Sequence, residues 1–315
     1  MTYPRSHLVD PEGGTYHVCS RCVRRAFLCG IDNRTGFNFD HRRQWLEERI
    51  FMLSDIFAVD LFGYAVMSNH YHIVLATVPS RVESWSDDEV AEKWLTLFPR
   101  KSPLPDLQKF MAFQKTALVE NQSRITELRA RLSSLSWFMR CLNEPLARLA
   151  NQEDGCKGRF WEGRFKSQAL LDDTALLAAM VYVDLNPIRA GLEVEPGQSP
   201  HTSIHHRKTK QKAKEPIRAL NVPHTELAHH FSLEDYQSLA EWTAMAQQSK
   251  GPISASAQRV LAKANAPNAI MWLQHYQPKP GQWQRAQGSF QSLKDYAKDL
   301  GQCWIRTRSA HLMRI

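Results

Sequence analysis

His70 and His72, one residue apart, and Tyr182 and Asn186, one helical turn apart, are the residues whose types and spacing could do chemistry. The His-x-His spacing alone is uninformative, because 13 histidines in 315 residues give about 0.5 such pairs by chance. Context adds more. In Val66-Met-Ser-Asn-His-Tyr-His-Ile-Val-Leu75 the pair falls in a β-forming run, and the period of a strand puts His70, His72 and Val74 on one face and Tyr71, Ile73 and Leu75 on the other. Two neutral imidazoles a strand pitch apart can reach one metal ion, although two ligands are too few for a stable site and two exposed strand histidines would have the same spacing. The run from Thr174 to Asn186 reads as a helix in which Tyr182 and Asn186 share a face, with the small Ala175, Ala178 and Ala179 leaving room for a bulky substrate. A half-buried aromatic followed by a helix-stop residue before Pro187 fits that spacing equally well.

The elements that must position these residues follow from periodicity. Tyr16 to Val23 reads as a strand after Gly13-Gly14, Asp40 to Asp55 as a helix, and Phe57 to Met67 with His70 to Thr77 as a hairpin turning at Ser68-Asn69. Phe165 to Leu171 reads as a further strand, and Asp172 or Asp173 can cap the helix that carries Tyr182. The order fits an α+β fold with a ferredoxin-like antiparallel sheet, helices on one face and the other face open to substrate. Prolines 79, 99, 103 and 105 mark an inserted, partly helical excursion over about residues 79–130, expected to be peripheral to the core. Leu107 to Ala150 is helical in pattern. The basic tract 205–215 reads as a linker between a first domain, 1–204, and a helical C-terminal region, 216–315, with helices around Thr225 to Gln247, Ser254 to Ala264 and Ser289 to Leu300.

The composition is that of an ordinary globular protein, and lysine and arginine exceed aspartate and glutamate by 40 to 32, a net charge of +8 that favours polyanionic partners. The absence of long apolar runs and of a secretory leader pattern leads us to expect a cytoplasmic protein without membrane contact. Cys19 and Cys22 have the spacing of half a zinc site but no second pair, so buried thiols are expected instead.

Three blocks, Met67-Ser-Asn-His-Tyr-His-Ile-Val-Leu75, Gly158-Arg-Phe-Trp-Glu-Gly-Arg-Phe-Lys166 and Tyr182-Val-Asp-Leu-Asn-Pro-Ile-Arg-Ala-Gly-Leu192, resemble in sequence and order the single-tyrosine HUH transposases, particularly the REP-associated tyrosine transposases. The likeness spans about Tyr16 to Leu192. It implies the HUH fold, with His70 and His72 as metal ligands, Tyr182 as nucleophile and Asn186 as a further polar ligand. Tyr71 departs from the motif, which has an aliphatic there, and sets a second tyrosine close to the site.

The resemblance further implies attack of the tyrosyl oxygen on a phosphodiester of single-stranded DNA bearing a hairpin, giving a 5′-phosphotyrosine and a free 3′-hydroxyl that can reverse the step on another strand. Mg2+ or Mn2+ is the implied cofactor. A free tyrosine, with a pKa near 10, is ionised to only about one part in a thousand at neutral pH, so positive charge has to compensate. Arg164 and Lys166 could add it or bind backbone phosphate. Arg24, Arg25, Arg42, Arg43 and the tract containing Arg207 and Lys208 supply further charge for DNA, and Trp161 or Phe160 a stacking platform. The family suggests a monomer, with a homodimer as the alternative. Two rival functions fit the same residues: a catalytically silent hairpin-DNA-binding regulator, and a metal-dependent nuclease in which water attacks and Tyr182 is structural.

Overall fold

The computed structural model describes residues 10–23, 28–32, 36–99, 106–222, 231–248, 253–263, 269–276, 283–302, 304–306 and 312–314. The first half runs β1 (Gly14–Arg21), α1 (His41–Ile56), β2 (Val59–Val66), β3 (His70–Thr77), α2 (Pro79–Glu83), α3 (Asp87–Leu97), α4 (Leu107–Val119), α5 (Gln122–Leu132) and α6 (Leu135–Glu153). It is followed by β4 (Lys166–Leu170), α7 (Asp173–Asp184), α8 (Asn186–Arg189), α9 (Ser203–Lys210), α10 (Leu233–Gln248), α11 (Ala255–Lys263), α12 (Ala269–Tyr276), β5 (Ala286–Gln287) and α13 (Phe290–Asp299), with a small pair β6 (Trp304–Arg306) and β7 (Leu312–Arg314) at the end. No helix among the described residues is long and apolar enough to cross a membrane.

The main sheet has the order β2-β3-β1-β4-β5, with β1 antiparallel to both β3 and β4, β2 antiparallel to β3, and only the short β5 parallel to its neighbour. Alternation along β3 divides the molecule. Tyr71, Ile73 and Leu75 join one apolar cluster with Leu46, Ile50 and Leu53 of α1 and Phe138 and Leu142 of α6. Val74, with Ala65 of β2 and Leu170 of β4, joins a second cluster formed with α7, α10, α11 and α12. Both faces are therefore covered, which corrects the expectation of helices on one face only. The physical reason is legible in α7, whose Ala175 to Val181 are all buried: a helix apolar all round cannot lie on an open surface.

Two other expectations change. The inserted helices are not peripheral, because Val90, Ala91 and Trp94 of α3 and Ile125, Leu128 and Leu132 of α5 enter the first cluster. The tract expected as a linker is α9, capped at Thr202, whose hydroxyl accepts from the His205 amide. Its residue Arg207 is fully buried and donates to the carbonyls of Phe62 (2.6 Å) and Arg218 (3.1 Å), so it holds the chain together and has no access to DNA. Ile217 and Ala219 beyond it belong to the same cluster as α7. The outer edge of β2 is covered in turn: the Ser203 hydroxyl accepts from the Tyr64 amide, and Asn221 and Leu220 bond to Leu61.

Candidate metal and nucleophile site

The histidines start from the β2–β3 turn. Its Ser68 carbonyl accepts from the amides of Leu28 and Cys29, which fixes where β3 begins and thus which face His70 and His72 take. The β1–β3 and β1–β4 registers pair Arg21 with His70, Cys19 with both His72 and Lys166, and His17 with both Val74 and Gln168. Paired residues share a face, so His17, Cys19, Arg21, Lys166 and Gln168 all lie on the side of His70 and His72, toward α7.

α7 brings the tyrosine. Asp172 caps its start by accepting from the Ala175 amide (2.9 Å), and also accepts from the Ser289 amide (2.6 Å), which anchors α13 to the same point. At its end Asp184, 2% exposed, accepts from the Ser203 hydroxyl (2.5 Å), the Ile204 amide (2.9 Å) and the Tyr236 hydroxyl (2.5 Å). With Asp184 locked toward α9 and α10, Tyr182 two residues earlier faces the sheet. Its ring stands edge-on to His72 with centroids 5.6 Å apart, and is equally far from His17.

Asn186 follows at the start of α8. Its side-chain amide donates to the Tyr182 carbonyl (3.3 Å), and the same side chain acts on His70, favouring its charged form. Tyr182, Asn186, His70 and His72, drawn from two distant parts of the sequence, thus converge.

The imidazoles sit in a dry place. His72 is 3% exposed and His17 4%, their rings are 5.0 Å apart, and His17 Nε2 lies 2.9 Å from His72 Nδ1. Burial lowers His70 to about 4, with the charge of Arg21 adding to it, and burial takes His17 down to about 3. His72 is held well below the usual histidine range by burial and then by His70, His17, Arg189 and Arg21. All three are neutral at pH 7 and keep lone pairs for a cation. Cys19 is no thiolate ligand, since burial pushes its thiol up to about 12. Among the described residues no group of three or more His, Cys, Asp or Glu is arranged to hold a metal. A donor set of two imidazoles and one amide oxygen would leave positions for water and phosphate, which suits a weakly held Mn2+ or Mg2+ ion.

Around the rim lie Arg189, whose guanidinium carbon is 4.6 Å from the centre of the Tyr182 ring, and Lys166, which is exposed. Trp283, from the C-terminal region, stands 5.0 Å from His17 and 5.9 Å from the Lys166 ammonium, and donates from its indole to the Ser167 carbonyl (3.0 Å). The sequence reading singles out none of His17, Gln168, Arg21, Arg189 and Trp283, although Arg189 lies within the block that carries Tyr182. Alternation in Tyr16-His-Val-Cys-Ser-Arg21 placed His17 and Arg21 on one face, but nothing in the sequence said which face met β3. No local signal pointed to Trp283.

Other expected residues stand elsewhere. Trp161 packs edge-on to Tyr71 on the opposite face of the sheet and donates to the Asn143 carbonyl (2.9 Å), and with Arg164 it lines a groove along α6 beside Arg140 and Arg148. Phe160 is buried and belongs to the core. Arg42 is fully buried, pairing with Glu153 (2.6 Å) and Asp154, and Arg43 donates to the Val66 carbonyl (2.8 Å), so both arginines serve the fold. Lys208 is exposed, with its ammonium on the Pro196 carbonyl at 2.9 Å. Arg24 and Arg25 lie outside the described residues. Tyr71, the second tyrosine of the motif, is turned away from the histidines: it is fully buried and donates to Asn143 Oδ1 (2.6 Å).

No family model and no curated protein matches the chain. Among solved structures it is similar to one described as a REP-associated tyrosine transposase bound to a REP hairpin, with a TM-score of 0.39 and 14% identity, covering 67% of this chain and 87% of the other. A likeness that distant leaves the chemistry to rest on the site itself.

Proposed function

We propose that this protein cleaves and rejoins single-stranded DNA next to a hairpin, using Tyr182 as nucleophile and a divalent cation, Mn2+ or Mg2+, held by His70, His72 and Asn186. The observation that carries this reading is the convergence of Tyr182 on His72 and His17, with Asn186 one turn on from the tyrosine and held to its carbonyl. The antiparallel order β2-β3-β1-β4 supports it, being the order of a ferredoxin-like sheet with the tyrosine helix laid across it. The protein is proposed to act as a monomer in the cytoplasm, with a homodimer as the alternative.

In the proposed step the Tyr182 oxygen forms a bond to phosphorus as the bond from phosphorus to the 3′-oxygen breaks, and the phenolic proton passes through solvent to the departing 3′-hydroxyl. The bound cation would supply Lewis-acid charge at the phosphate. Arg189 places a second positive charge at the tyrosine ring, suited to a phenolate or to the phosphate it attacks, and Lys166 holds backbone phosphate nearby. Trp283 offers an aromatic face for a base. Trp161, Arg164, Arg140 and Arg148 form a separate groove suited to hairpin backbone, and Lys208 is a peripheral phosphate contact.

Incubation with Mn2+ and a labelled library of hairpin-bearing single strands tests the reading. A protein–DNA band that survives denaturation, and is lost in Tyr182→Phe, is expected. Cleavage equal in both proteins without such a band would give the activity to a metal nuclease using water, and binding without cleavage would give it to a regulator.

A further inference from the structure

We infer that His17 and Gln168 form a positioning relay that fixes the tautomer of His72, and so decide whether the site can take a divalent cation. The inference rests on the metal-dependent reading above, but the geometry that carries it lies in the protein alone.

A neutral imidazole has one N–H and one lone pair. The 2.9 Å contact between His17 Nε2 and His72 Nδ1 can therefore run in only two ways. If His17 donates, the proton of His72 must sit on Nε2, and the ring has no lone pair left for a cation. If His72 donates from Nδ1, its Nε2 carries the lone pair and His17 must keep its own proton on Nδ1. The choice passes to whatever His17 Nδ1 meets.

That partner is Gln168. It lies directly opposite His17 in the β1–β4 register, is 9% exposed, and acts on His17 in the sense of an acceptor, favouring the protonated ring. With His17 Nε2 engaged by His72, the nitrogen left for Gln168 is Nδ1. Its amide oxygen holds the proton on His17 Nδ1, leaves His17 Nε2 as an acceptor, and thereby holds the proton of His72 on Nδ1. The chain of donation runs from His72 to His17 to Gln168.

Such outer hydrogen bonds orient a ligating histidine and commonly change metal affinity by about 10- to 100-fold when removed.

The test uses the full-length protein without DNA and has two readouts. The first is the tautomer of His72 by 15N chemical shifts in metal-free protein at pH 7.5. The second is Mn2+ affinity by electron paramagnetic resonance titration. The relay predicts an Nδ1–H tautomer at His72 in the wild type. It predicts an Mn2+ affinity weaker by about 10- to 100-fold in Gln168→Leu and His17→Phe. His17→Gln, which puts an amide oxygen close to where Nε2 sits, should restore binding to within a few-fold of wild type. Circular dichroism and thermal unfolding identify any variant that fails to fold, and the wild-type tautomer decides the matter without a variant. An Nε2–H tautomer in the wild type overturns the relay, as do unchanged Mn2+ affinity and tautomer in folded Gln168→Leu. An Nδ1–H wild type that binds no Mn2+ would overturn the metal reading and leave the relay standing.

Discussion

Tyr182 meets His72 edge-on, with ring planes at 90° and centroids 5.6 Å apart, although the two residues come from a helix and a strand 110 positions apart in the chain. The hydroxyl-bearing ring is half-buried while His72 is closed off from water, so the proposed nucleophile is accessible and the proposed ligand is dry. Dryness keeps the imidazoles neutral and strengthens every charge placed at the rim.

Arg189 over the Tyr182 ring is the first place to look for a charge that acts on the nucleophile. Arg189→Gln should lower the rate of covalent adduct formation by about 2- to 30-fold, the range of a partly desolvated cation–aromatic contact worth about 0.5–2 kcal/mol. Hairpin affinity, followed by fluorescence anisotropy, should change by less than about 3-fold, since one exposed phosphate contact is worth little at physiological salt. Loss of affinity with an unchanged rate of adduct formation would place Arg189 in DNA binding alone.

Arg207 is the clearest case of a basic residue whose role reverses between sequence and structure. It is fully buried, so that burial lowers its pKa with Tyr236 and Asp184 opposing, and its guanidinium ties α9 to the β2 carbonyl of Phe62. Arg207→Ala should destabilise the protein by about 1–3 kcal/mol, the range for leaving a buried carbonyl without its donor, whereas Lys208→Ala should stay within about 0.5 kcal/mol. Urea denaturation of both variants checks this, and equal stability of the two would contradict it.

Stability should also depend on pH in a defined window. Burial lowers His17 to about 3 and His70 to about 4, and His206, stacked on Phe51, is lowered to about 4 by burial and by the charges of Lys210 and Arg207. Unfolded chains take up protons at these sites near pH 6.5 while the folded protein resists until near pH 4, so the unfolded state binds more protons in between. Resistance to urea in metal-free protein should therefore be full above about pH 6.5 and fall as the pH drops toward 4. His206→Phe should flatten part of that fall. A midpoint that rises on acidification would contradict the burial of these rings.

How much of this was legible in the sequence follows the range of the forces involved. β1, the β2–β3 hairpin, α1 and α7 could be read because side-chain alternation and helical spacing are local, and the two faces of β3 follow from the period of a strand. That α7 is covered on all sides is also legible in Ala175-Leu-Leu-Ala-Ala-Met-Val181, but the small Ala175, Ala178 and Ala179 among them read equally as room for a substrate. The basic tract misled because a charge run looks alike whether it is solvated or, as at Arg207, one of its members points inward to the carbonyl of Phe62, far away in sequence, and to that of Arg218. His17 and Gln168 required the register of three strands, which no single segment encodes.

The central claim is that Tyr182, and no other tyrosine, attacks DNA. Its sharpest rival within the motif is Tyr71, which is fully buried on the opposite face, has its hydroxyl bonded to Asn143, and is raised in pKa by that burial. The most direct measurement is to trap the covalent adduct formed with Mn2+ and a hairpin-bearing oligonucleotide, digest it, and locate the modified residue by tandem mass spectrometry. The account predicts a 5′-phosphonucleotide on the peptide bearing Tyr182. An adduct on Tyr71 or any other residue, or cleavage that leaves every tyrosine unmodified, would contradict it.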